Sequence, residues 1–181
     1  ERAQVLDPLA HRVDVATALL RAGRYDEGLR RAEEAVELDA GQDRARATLG
    51  WALFLTGRRA EGITELERAV AGSRQNTLWL GQLGQAYAMG GQVERAREVL
   101  AQMEERARQE FVSPYHLAYV HAGLGESERA LDLLERAVAE RTGPAYGIKG
   151  SFLLAPLQGH SRFQALLREM GLAGGAGGAA S

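Results

Sequence analysis

The chain has 181 residues, 45% of them hydrophobic and 25% charged, with a net charge of −2 at pH 7. That is enough for one extended domain of ordinary composition, and it supplies no basic field for a phosphate backbone, so no nucleic acid is expected as a partner of this segment. No apolar run approaches the ~18 residues that span a bilayer, the first residues have neither a basic nor an apolar leader region, and the absence of Cys fits a reducing, cytoplasmic compartment; no membrane partner is expected.

Residues 1–8 carry Val5 and Leu6 ahead of Asp7-Pro8 and are read as the end of a preceding helix or repeat, as in a fragment of a longer protein. A helical stripe of Val13, Val15, Ala16, Leu19 and Leu20 follows. Gly23 ends it, and Asp26 opens a second helix through Leu29, Ala32, Ala35 and Val36. The short interval from Pro8 to Gly23 predicts a late start for the first helix. The next pair has Leu49, Gly50, Leu53 and Phe54, then Gly57, then Ile63, Leu66, Ala69 and Val70. Asn76 or Thr77 can cap the helix that runs through Leu80, Leu83 and Tyr87 to Gly90-Gly91, and the charged run from Val93 to Arg108 forms its partner. Ser113 is a natural N-cap with Pro114 at the first helical position, Gly125 ends that helix, and Ser127 can cap the next. Beyond Gly143-Pro144, Tyr146 to Ala155 reads as a connector. Phe163, Leu166, Leu167 and Met170 stand at i, i+3, i+4 and i+7, one apolar face able to cover the end of the preceding helices. The Gly/Ala tail, 173–181, is expected to be flexible.

The breaks repeat at a fixed spacing of 34 residues: Gly23, Gly57, Gly91 and Gly125. Other positions keep the register, as Val15, Leu49, Leu83 and Leu117 do in the first helices and Ala32, Leu66, Leu100 and Leu134 in the second. This period, with Leu83-Gly84 followed by Tyr87, resembles the tetratricopeptide repeat. The resemblance implies an all-α, right-handed superhelical solenoid of about four helix-turn-helix repeats, 9–42, 43–76, 77–110 and 111–143, then a connector and capping helix over 144–172. Departures from the pattern are Ala40, where a Pro often closes the repeat, and Met103 in place of a second-helix Ala. More narrowly, the run from Val112 to Arg141, followed by FLLAPL and SRFQALLREMGL, is similar to the C-terminal repeat modules of bacterial signalling proteins. There the repeats follow a winged-helix, nucleotide cyclase or kinase domain. The usual cap of that group ends in Asp-Pro-Arg-Phe, whereas this chain has His160-Ser161-Arg162-Phe163.

Catalytic chemistry is not expected. His116 and His121 are five apart on one helix and make no metal set with His11 or His160. His121 stands where Leu19, Leu53 and Tyr87 pack, a structural position. The glycines form no phosphate loop, no serine stands in a GxSxG elbow, and the carboxylates alternate with arginines as on solvated helix faces. No cofactor and no metal are expected, and the chain is not read as an enzyme.

What the resemblance implies instead is a concave groove lined by the first helices. Carried over by register, the groove residues are Arg44, Trp51 and Phe54, then Gln82, Gln85 and Met89, then Tyr115 and Tyr119. Aromatic anchors beside amides suit a peptide or protein partner, as in a scaffold. The Lys and Asn that clamp a chaperone's C-terminal carboxylate in that family are replaced here by Val13 and Thr17, so that specialisation is not expected. The alternatives are a packing module for a second copy or for the chain's own missing effector domain, and a small-molecule sensor. A pocket of Arg44, Gln85 and Tyr119 would favour an anion.

Overall fold

The computed structural model of the chain describes residues 8–142 and 148–172. Eight helices pair in order: α1 (Pro8–Arg21) with α2 (Tyr25–Leu38), α3 (Asp43–Leu55) with α4 (Arg59–Gly72), α5 (Thr77–Met89) with α6 (Val93–Ala107), and α7 (Pro114–Gly123) with α8 (Ser127–Ala139). A 3₁₀ helix, Phe152–Leu157, and α9 (Ser161–Glu169) follow. The result is an all-α, right-handed solenoid of helix-turn-helix repeats with additional C-terminal helices. The reading of residues 1–7 as the end of an earlier repeat, the first part of the connector and the 173–181 tail lie outside the described residues.

Each helical pair turns on a glycine in the left-handed region, Gly23, Gly57, Gly91 and Gly125, with φ of 75°, 93°, 82° and 75°. There the backbone reverses without a Cβ clash. Each inter-helix turn is closed by a backbone hydrogen bond two residues before the second helix starts or just at its edge, as Arg58 N–H donates to the Leu53 carbonyl at 2.9 Å and Gln92 N–H to Tyr87 at 2.8 Å. α3 and α4 cross at Gly50 and Gly62, where a methyl group on either residue would strike the other's carbonyl oxygen.

The core follows the apolar register. Leu20, Ala32, Leu66, Met103, Leu131 and Leu134 are fully buried, and each large side chain contributes roughly 1.5–3 kcal/mol of transfer free energy. α9 lays Phe163, Leu166 and Leu167 into the same core. On its outer side Arg162 bonds Glu128, Asp132 and Glu135 of α8 at 2.6, 2.7 and 2.8 Å.

Local details differ from the sequence reading at several points. α1 already starts at Pro8. Asn76 caps α5 by accepting from Leu78 N–H at 2.9 Å, whereas Ser113 precedes α7 without capping it and donates its hydroxyl to the Thr142 carbonyl at 2.6 Å. Ser127 is the first residue of α8, and the position before it belongs to Glu126, whose carboxylate is held by His121 at 2.6 Å and Arg97 at 2.7 Å. The described part of the connector is not a passive link: Ile148, Ser151, Leu153, Leu154 and Leu157 are all buried.

Candidate functional site

The odd-numbered helices share one face of the solenoid, but their spacing along it is uneven. α5 and α7 lie in close contact because both lack side chains where they meet: a Cβ at Gly81 would strike the His116 carbonyl, and one at Gly123 would press on the Gln85 backbone. α3 and α5, by contrast, hardly meet as backbones. The gap between them is spanned by side chains, with Trp51 Nε1 donating to Gln82 Oε1 at 2.9 Å in a buried bond.

Into this face runs the chain's own C-terminal segment. Phe152 packs on Trp51 with ring centroids 5.6 Å apart. The Leu153 carbonyl accepts a hydrogen bond of 2.5 Å from Gln85 Nε2, which is wholly buried. Gln85 Oε1 is buried too and has no hydrogen-bond partner among the described residues. Sequence register could not anticipate this arrangement, because residues 148–157 stand outside the repeating pattern. The one available signal was FLLAPL itself, an apolar run too rich for a solvent-exposed link.

Between this segment and the N-terminal half of the face remains a cavity of about 280 Å³. α1 contributes Thr17, Leu20 and Arg21, and α3 contributes Arg44, Ala47, Thr48 and Trp51. Leu78, Trp79 and Gln82 of α5 and Tyr115 and Tyr119 of α7 form the far wall, and Ser151, Phe152 and Leu153 close one side.

Of the residues placed in the groove by register, Arg44, Trp51, Gln82, Tyr115 and Tyr119 therefore line one cavity, although only Arg44 is well exposed. Trp51, Tyr115 and Tyr119 are 2%, 1% and 3% exposed, and what covers Trp51 on the groove side is residue 152 of the same chain rather than a second copy. Phe54 turns from the cavity: its ring meets Trp51 edge-on at 5.4 Å and lies under the Arg59 guanidinium at 5.6 Å. Gln85 is committed to Leu153, and Met89 is half-buried against the core at the end of α5. The pocket of Arg44, Gln85 and Tyr119 is thus assembled only in part, by Arg44 and Tyr119. Thr17, Arg21, Thr48 and Trp79 were not singled out by sequence, because each is an ordinary helix-surface residue until α1 and α5 are placed side by side.

Electrostatically the cavity is one-sided. Arg44 pairs with Asp14 of α1, which lies outside the lining, and no Asp or Glu is among the lining residues. Tyr115 and Tyr119 stack edge-on at 4.9 Å. Burial raises both phenols above their ordinary value, Tyr119 well above it, and outweighs the Arg21 charge that acts on each in the opposite sense. Both are neutral hydroxyls at physiological pH.

The buried imidazoles lie elsewhere. His116 accepts or donates to Thr77 Oγ1 at 3.0 Å and is depressed by burial to about 4. His121, 5% exposed, packs in the core position that its register predicts and faces Glu126. Among the described residues no cluster of three or more His, Asp or Glu is placed to hold a metal ion, and no helix is long and apolar enough to cross a membrane.

Models of the tetratricopeptide repeat match residues 19–71, 49–111 and 115–136, which together cover more than half of the chain. A solved structure described as MamA AMB-1 is similar in fold, with 22% sequence identity and a TM-score of 0.49 over 88% of this chain and 95% of that one. No curated protein matches the sequence.

Proposed function

We propose, from the premise that this chain belongs to the tetratricopeptide-repeat family, that it is a non-catalytic module binding a peptide or protein domain on the face shared by α1, α3, α5 and α7. Folds of this family typically mediate protein–protein interaction through a concave groove. The observation that carries the reading is the chain's own segment seated on that face. An aromatic ring lies on Trp51 and a backbone carbonyl is held by the Gln85 amide, the two kinds of contact by which a groove takes a foreign segment. The N-terminal half of the face, around Arg44, Thr48 and Trp51, is where a partner would enter. The resemblance of residues 112–172 to bacterial signalling modules makes the regulatory part of a larger cytoplasmic signalling protein the setting we favour.

A photo-crosslinking residue at Thr48 tests this against one at Glu104, an exposed position on α6. The expected result is an adduct with a second protein from Thr48 alone, lost on Arg44→Glu. Equal labelling from Glu104 would count against a groove partner. An adduct of twice the chain mass would assign the face to self-association, the second reading, which Phe111, 70% exposed between α6 and α7, also favours.

A further inference from the structure

A cavity with basic and hydroxyl groups, aromatic walls and no carboxylate differs from every other cleft described on this molecule. The cleft beside α4 holds Glu33, Glu61 and Glu65 together with Arg58 and Arg68, and that at the start of α8 holds Glu126 and Glu128 with Arg97 and Arg129. In both, the two signs already pair with one another, as Arg58 does with Glu61 at 2.7 Å and Arg97 with Glu126 at 2.7 Å, so neither selects a charged ligand. The cleft beside Tyr87 likewise carries Arg95 and Glu98. Only the cavity under Phe152 leaves its cationic lining without an acidic counterpart in the wall.

We infer that this cavity is a binding site for a small free carboxylic acid with a compact apolar body. The inference goes beyond peptide recognition and does not depend on it.

Four features carry it. Arg44 enters the wall from the start of α3, and since a guanidinium has five N–H donors, its pairing with Asp14 leaves donors for a carboxylate. Arg21, at the end of α1, lies near enough for its charge to act on both tyrosine hydroxyls, which places a second cation beside the same space. The hydroxyls of Thr48, Tyr115 and Tyr119 are neutral groups that can donate to an anion and, unlike a carboxylate, do not repel one. The remaining wall is flat and apolar, with Trp51, Trp79 and Phe152 able to take a ring or a branched alkyl group on their faces. At about 280 Å³ the space lies just under the usual range for drug-sized ligands, which restricts the occupant to a small acid. An uncharged analogue of the same shape would satisfy the walls but not the guanidinium groups.

Both tryptophans of the chain, Trp51 and Trp79, line the cavity, so the intrinsic emission of the whole protein reports on its contents. Phenylacetate, its neutral isostere phenylacetamide, and a short peptide ending in phenylalanine are titrated separately into the 181-residue chain, with thermal unfolding as a second readout. The expected result is a saturable emission shift and a raised Tm with phenylacetate, with phenylacetamide weaker by about tenfold or more, the scale of one charge-assisted hydrogen bond. Arg44→Gln weakens phenylacetate to the level of the amide, and Arg44→Lys recovers part of the loss. Arg44 is half-exposed, so both variants are expected to fold, which far-ultraviolet circular dichroism checks. Equal response to acid and amide, no saturation up to on the order of 10 mM, or saturation by the peptide alone would each overturn the assignment. The peptide outcome would leave the protein-binding reading standing, whereas loss of the Thr48 crosslink would leave the acid site standing.

Discussion

Trp51 joins α3 to α5, to the Phe54 ring beside it and to Phe152 from the C-terminal segment, and its indole N–H is used by Gln82. Two substitutions separate these roles. Trp51→Phe keeps most of the ring but leaves the buried Gln82 oxygen without its donor, an expected cost of about 1–2 kcal/mol. Trp51→Ala also empties the ring volume and is expected to cost about 3–5 kcal/mol in urea unfolding. Near-equal losses would mean that the hydrogen bond, not the packing, holds the two helices. His116 supplies a second test at this scale. Burial holds it at about 4 in the folded chain, against about 6.5 when unfolded. As pH falls below 6.5 the unfolded chain binds a proton that the folded chain refuses, so this contribution is complete above pH 6.5 and is lost on acidification. Between pH 6.5 and 5, above the range where most carboxylates titrate, the loss is about 1.5 kcal/mol. His116→Gln should flatten that part of the pH dependence of the urea midpoint, and parallel profiles for the two proteins would show that His116 charges without penalty.

At the scale of elements, α9 is attached in two ways of unequal weight. Phe163 is fully buried, so Phe163→Ala is expected to cost about 3–5 kcal/mol and to release α9 to hydrogen exchange. Arg162 bonds three carboxylates of α8 but does so in water, where side-chain entropy and salt screening offset most of the attraction. Arg162→Ala should therefore leave α9 folded, and a release as large as that of Phe163→Ala would show the ion pairs to be the main attachment. The helices themselves were legible in the sequence because a glycine every 34 residues and apolar residues in constant register constrain each repeat in the same way. Caps were less legible: Ser113 and Ser127 have the right chemistry, but Thr142 and the first turn of α8 claim them instead. The candidate site was legible as a face, since Arg44, Trp51, Gln82, Tyr115 and Tyr119 fall together. It was not legible as a cavity, because its closing wall comes from residues with no place in the period, and because the α5–α7 approach depends on Gly81 and Gly123, which read as ordinary small residues.

At the scale of the whole molecule, burial is propagated between neighbours, and the links are unequal. α5 and α7 touch backbone to backbone, whereas α3 and α5 depend on Trp51, Gln82 and the helix α4 beside them. In a solenoid of coupled repeats the weak link sets where the array divides. Hydrogen exchange followed by mass spectrometry should show α5 to α8 as the most protected block, with α1 and α2 opening at lower free energy. Uniform protection along the array would mean that the side-chain bridge couples as strongly as the glycine contact. The position of the closing segment also bears on how the protein is made. The ribosome delivers all eight repeat helices before residues 151–153 emerge, so Trp51 and the apolar wall around it stay uncovered while roughly the last third of the distance from α7 is translated, a few seconds at about 5–20 residues per second. During synthesis this face is an exposed aromatic surface, open to chaperones and to neighbouring nascent chains, and release from the ribosome is the event that shuts it.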